Sequence, residues 1–150
     1  VDVAGEALHE VLREGVFLLK PNIREFRELV GAEVKEESQI KAAARKIVDS
    51  GQCEVLAISL GAAGALVVSE KFAEHIPSPT VPIISKVGAG DSMVAGVVLS
   101  LARGNPLRES ILFGVAAGTA AVMTAGTELC RKDDAERLYE DMISEEKNVV

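Results

Sequence analysis

Val55-Leu56-Ala57-Ile58-Ser59-Leu60, followed by Gly61-Ala62-Ala63-Gly64, is the stretch that decides the fold class. The run is apolar without alternation, as in a strand covered on both faces. Gly61 to Gly64 then turns the chain, and Ala65 to Ser69 and Phe72 to Ile76 predict two further strands. Upstream, Ile40, Ala43, Ala44, Ile47 and Val48 follow a 3.6-residue period, which predicts a helix over Glu37 to Ser50 that Gly51 ends. Ile23 to Val30 predicts a short helix with Phe26, Leu29 and Val30 inward. Val16 to Leu19 predicts a short buried strand entering a turn at Lys20-Pro21-Asn22, and Gly5 to Glu14 a helix stopped by Gly15. Downstream, Pro77, Pro79 and Pro82 keep the chain extended. A helix is expected from Asp91 to about Ala102. A second runs to about Ala125, with Asn105 as N-cap and Pro106 at its first position. Asp133 and Glu136 have the spacing of a capping box for the last helix. Helices alternating with buried strands predict a layered, Rossmann-like α/β domain with a mostly parallel sheet.

The 150 residues predict one domain, able to bury about two thirds of its unfolded surface. Apolar residues make up 48% and charged residues 26%, which argues against disorder. Sixteen basic residues face 23 acidic ones, a net charge of −7, which excludes nucleic-acid binding through a basic face. With only 3% aromatics the core must be aliphatic, and stacking platforms for bases are scarce. Cys53 and Cys130 form no metal-ligand pattern and read as reduced thiols. His9 and His75 stand apart and read as surface or partly buried residues. Ser110 to Thr127 carries no charge, but its Gly, Ala and Thr content fits a buried helix better than a membrane span. Gly114 and Gly118 share a smooth face open to another helix or a flat ligand. The chain begins Val-Asp-Val, without Met or a signal segment, and reads as the middle of a protein.

Three familiar signatures fail. No Gly-Lys dipeptide supports a Walker A loop. Met93 occupies the last small position of a dinucleotide fingerprint, and Val94 replaces the glycine that a nucleophile elbow needs. What remains is Gly88-Ala89-Gly90-Asp91, a glycine turn leading into a helix. Its N–H groups and the positive end of the helix suit a phosphate or a developing oxyanion. Asp91 there is either a helix cap or a general base beside a phosphate cradle. Asn22 and Glu25 share a helix face; they are either a cap and a solvated acid or a pair that organises Mg²⁺. Ser59-Leu60-Gly61 with Gly64 lies where open α/β sheets bind ligands, and a plain turn is the alternative.

Taken together, these segments resemble the PfkB (ribokinase-like) family of carbohydrate kinases. Lys20-Pro21-Asn22 with Glu25 is similar to its N-x-x-E magnesium motif, and Ser59 to Gly64 to its nucleotide-binding turn. Val87-Gly88-Ala89-Gly90-Asp91-Ser92-Met93-Val94-Ala95-Gly96 is similar to its second signature, the most specific match. Phe113 to Gly118 is similar to the helix that lies along the adenine. Asp-Ser-Met after the glycines, and KPN earlier, resemble the branch that phosphorylates sugar phosphates, the minor 6-phosphofructokinases above all.

The resemblance implies a ribokinase-like fold, of which residues 1–150 are the C-terminal, nucleotide-binding part. It implies ATP-dependent phosphorylation of fructose 6-phosphate, or of fructose 1-phosphate, tagatose 6-phosphate or ribose. Asp91 becomes the base, and Gly88, Ala89 and Gly90 the anion hole. Lys20 and Ser59, Gly61 and Gly64 attend the phosphates, and Val115 and Thr119 the adenine. Asn22 and Glu25 organise Mg²⁺. A K⁺ loop falls on Ser85, Val87, Ala121, Thr124, Gly126 and Glu128, where Thr124 and Glu128 replace an expected Asn and Arg. The family also implies a cytoplasmic homodimer, with most of the sugar site and a dimerising lid upstream. A non-catalytic nucleotide-binding module and an inert structural domain are the rival readings.

Overall fold

Val16–Leu19 forms β1, which ends where Pro21 breaks the strand. Asn22 then caps α2, Ile23–Val30, whose Phe26 is fully buried. Gly31 closes α2 in the left-handed region at φ 61°, a place where a side chain would be strained. Before β1 lies α1, Glu6–Glu14, and after α2 comes α3, Glu37–Asp49. The strands β2, Cys53–Ser59, β3, Ala65–Ser69, and β4, Ala73–Ile76, complete one sheet. The computed structural model describes residues 1–31 and 33–148 as two compact units, Val1–Pro77 and Ser78–Val150.

In the first unit the sheet order is β1-β2-β3-β4. Leu8 and Leu12 of α1, Phe26 of α2 and Ile40, Ala44, Ile47 and Val48 of α3 pack with Leu19, Leu56, Ile58, Leu66 and Val68 of the sheet. Val55, Ala57 and Val67 on the other sheet face are buried too, as the unbroken apolar run predicts. The sheet is not mostly parallel. Only β1 and β2 run parallel, and the pairs β2/β3 and β3/β4 are antiparallel. The connections over residues 60–64 and 70–72 are too short for a parallel crossover, which takes a dozen residues or more. Strand β1 forms one edge, and Val1 lies along it: the Val1 amino group donates to Leu18 O, and Lys20 N to Val1 O.

Cys53 opens β2 and is buried, and burial pushes its thiol up to about 11. The fold favours the neutral thiol, so this contribution to stability is complete below about pH 9 and fades as pH rises toward 11. Iodoacetamide at pH 8 is therefore expected to label half-buried Cys130 first and Cys53 only after denaturation, read by mass spectrometry. Early labelling at Cys53 would contradict the burial argument.

The second unit is helical: α4, Ala89–Ala102, α5, Leu107–Val122, and α6, Lys132–Asn148. Two caps differ from expectation. Pro106, at ψ 150°, is itself the N-cap of α5, and the Asn105 side chain donates instead to Ser100 Oγ at 3.0 Å. Asp133 lies inside the first turn of α6, which opens on the bond from Ala135 N to Arg131 O, so it favours the helix dipole rather than capping. Met93, Val97, Ile111, Leu112, Val115, Ala116, Leu138 and Met142 are buried, and Phe113 meets Tyr139 edge to face at 5.5 Å. Among the described residues no helix is long and apolar enough to cross a membrane.

Candidate active site

The parallel pair β1/β2 ends with its two carboxyl termini side by side. Ser59 N donates to Pro21 O at 2.9 Å, and Asn22 and Ser59 form an isolated parallel bridge. Lys20, Asn22 and Ser59 are thereby held together at the sheet edge where α/β folds receive ligands. Asn22 Oδ1 accepts from Arg24 N and Glu25 N, both at 3.0 Å, while Glu25 Oε2 accepts from Asn22 N at 2.8 Å. This capping box fixes both side chains at the start of α2. It uses one carboxylate oxygen of Glu25 and leaves the other for a hydrated cation. That Glu25 oxygen suits the water shell of Mg²⁺, whereas Asn22 Oδ1 is already taken by two backbone N–H groups.

Lys20 is buried, 5% exposed, with its Nζ 3.2 Å from Asp2 Oδ2. A buried ammonium needs such a partner. Asp2 is absent from the motifs read in the sequence. Only the pairing of Val1 along β1 puts it beside Lys20, and no local spacing announces that.

The turn after β2 is a single 3-10 turn at Gly61–Ala63, with Gly61 at φ 64° and Gly64 at φ 94°. Leu60 N donates to Gly64 O at 2.8 Å and closes it. Gly61 is exposed and Gly64 buried. His75 Nε2 lies 2.7 Å from Ala63 O, a contact the sequence reading missed.

In the second unit Gly88, at φ 77°, is the N-cap of α4, and no side chain caps the helix. Ala89 and Gly90 belong to the first turn rather than to a loop. Asp91 is the third helical residue and is exposed, so it is not the helix cap. The first helical bond runs from Ser92 N to Gly88 O at 2.8 Å. The N–H groups of Ala89, Gly90 and Asp91 therefore have no partner within the helix and are free to receive an anion.

Val115 and Thr119 are buried on α5, and the Thr119 hydroxyl donates to Val115 O at 2.8 Å. Thr124 Oγ1 lies 2.9 Å from the carbonyl oxygens of both Ala121 and Leu129. Ser85 Oγ accepts from Val87 N at 3.2 Å and lies 3.4 Å from Gly126 O. Ser85, Val87 and Gly126 are thus gathered at one point, and Ala121 and Thr124 at another. Neutral hydroxyl and carbonyl oxygens are the donor type a monovalent cation takes. Glu128 instead pairs with Arg131 Nη2 at 3.1 Å.

The glycine-capped start of α4 with its exposed Asp91, and the Asn22/Glu25 box with its neighbouring glycine turn, are the two local arrangements that carry the sequence motifs. Residues 1–134 match the pfkB family of carbohydrate kinases, and the chain belongs to that family. It is 42% identical over 140 residues to the ATP-dependent 6-phosphofructokinase isozyme 2 of Mycobacterium tuberculosis, covering 93% of this chain and 41% of that one. The isozyme 2 of Escherichia coli is 43% identical over 140 residues, with 93% and 45% covered. The crystal structure of the Escherichia coli phosphofructokinase-2 in complex with potassium superposes with a TM-score of 0.91 at 42% identity, covering 95% of this chain and 47% of that one. The chain thus spans less than half the length of the curated relatives it matches.

Proposed function

We propose that this chain carries the ATP site and the catalytic base of a kinase that converts fructose 6-phosphate to fructose 1,6-bisphosphate. The observation that carries this reading is Asp91 in the first turn of α4, exposed, uncapping and three residues after the left-handed Gly88. Asp91 takes the proton of the sugar hydroxyl as its oxygen forms a bond to the γ-phosphorus. The bond from that phosphorus to the bridging oxygen breaks, and ADP leaves. The free N–H groups of Ala89 and Gly90, with the Gly88 turn, stabilise the charge on the transferring group. Lys20 and the Ser59 to Gly64 turn serve the phosphates, and Val115 and Thr119 the adenine side. Bound Mg²⁺ neutralises phosphate charge, with Glu25, fixed by its capping box with Asn22, holding its water shell. K⁺ belongs with Ser85, Val87, Ala121, Thr124, Gly126 and Glu128, whose side chain is tied to Arg131. A cytoplasmic homodimer suits the reading.

The chain is expected to bind Mg·ATP by calorimetry yet show no sugar-dependent ADP release with fructose 6-phosphate in a coupled assay. Holding the acceptor in line accounts for a large share of the rate, and no motif of this chain is assigned to the sugar. Absence of heat at millimolar Mg·ATP would favour an inert α/β domain. Robust turnover would show that the sugar site lies within these residues.

A further inference from the structure

We propose that His75 is a positioning residue that holds the Gly61–Gly64 turn in the form that receives the nucleotide. The inference rests on the nucleotide role proposed above for that turn. Strand register is what brings His75 there. In the antiparallel pair β3/β4, His75 stands opposite Leu66, and β3 starts directly after the turn. The imidazole therefore reaches back over the β2–β3 connection, and its Nε2 lies 2.7 Å from Ala63 O. A carbonyl only accepts, so the Nε2 hydrogen is the donor. On the other side of the ring, Nδ1 lies 3.5 Å from Glu37 Oε2, at the first residue of α3. Glu37 is itself held by Lys41 Nζ at 2.7 Å, and that bond keeps its carboxyl below the usual carboxylate range. The Nε2 bond thus holds the ring on the turn, and Glu37 at the start of α3 adds to that hold when the imidazole carries both protons.

The turn needs such a support. Gly61, Ala62 and Ala63 are exposed, and their internal bonds are backbone contacts between neighbours: Ala63 N to Leu60 O, Gly64 N to Gly61 O and Leu60 N to Gly64 O. Gly61 and Gly64, both at positive φ, give the segment a wide choice of conformations. His75 supplies the side-chain bond that ties this segment to a rigid strand. A turn ordered before binding loses less entropy when the ligand arrives.

The test compares His75→Val with His75→Gln, which keeps an N–H donor at similar reach. Two readouts are taken: amide hydrogen exchange over residues 61–64 without nucleotide, and the Kd for Mg·ATP by calorimetry. His75→Val is expected to speed exchange in the turn and weaken Mg·ATP by about five- to ten-fold, the worth of one hydrogen bond. His75→Gln is expected to restore both. His75→Thr serves if the valine variant folds poorly. Unchanged exchange in the short variants, with wild-type affinity, overturns the positioning role and leaves the nucleotide reading standing. Faster exchange with unchanged affinity shows that His75 orders a turn the nucleotide does not use, which also overturns the proposal. If the unsubstituted chain binds no Mg·ATP, the nucleotide reading falls and the proposal falls with it.

Discussion

Asp91→Asn, placed in a polypeptide of the relatives' full length that carries this chain, is expected to lower kcat by about 10²–10⁴ with Mg·ATP affinity unchanged or improved. The variant keeps the side-chain size and loses the base and one negative charge. Because Gly88 is the N-cap of α4, the asparagine removes no capping bond. What it removes structurally is a carboxylate near the positive end of a helix, worth about 0.3–1 kcal/mol at an exposed position. Nucleotide affinity moves the other way, since a negative charge near the γ-phosphate is gone. Steady-state kinetics and calorimetry on one preparation thus give opposite signs. A normal kcat with a slightly lower Tm would reduce Asp91 to a dipole-favouring residue.

Local chemistry made much of this fold legible. The bounds of β1 and α2 follow from Pro21 ending one element and Asn22 beginning the next, and both signals lie within three residues. The strand directions were legible as well, but in connection lengths rather than composition: residues 60–64 and 70–72 permit only hairpins. Asn105 misled because its amide had a competing acceptor, Ser100 Oγ, that no sequence spacing reveals. The site divides the same way. The glycine turn before Asp91 and the Asn22–Glu25 box are local, with partners three residues apart, so the sequence displays them. Asp2 beside Lys20 and His75 above Ala63 are made by segments meeting across 18 and 12 residues, Val1 hydrogen-bonding along β1 and β4 pairing with β3. A register shift of one residue would turn either side chain to the opposite face, and only the folded sheet fixes that register.

Gly114→Val is expected to destabilise the fold by about 3 kcal/mol or more, the largest stability effect we anticipate. A Cβ at Gly114 would lie 2.3 Å from Val97 Cγ2 and 2.8 Å from Met93 O. The first contact can relax by turning a valine, but the second is the backbone of α4 and can open only if the helices part. Gly96 allows the approach from the other side, where a Cβ would lie 2.9 Å from Ala117 Cβ and 3.0 Å from Gly114 Cα. The smooth face of α5 is therefore filled by α4, which carries Gly88 and Asp91 at its start. Valine adds two further methyl groups and a β-branched side chain that fits a helix less well than alanine. For a chain of this size the loss corresponds to a fall of roughly 6–12 °C in Tm, measured by circular dichroism. Gly118→Ala is the contrast. Its Cβ would lie 3.0 Å from Ala89 O and 3.3 Å from Met93 Cβ, a tight fit that a few tenths of an ångström relieve. The gain in helix propensity of about 1 kcal/mol offsets much of that strain, so its Tm should stay near wild type. Equal effects of the two substitutions would mean that α4 and α5 do not meet as closely at Gly114 as the distances require.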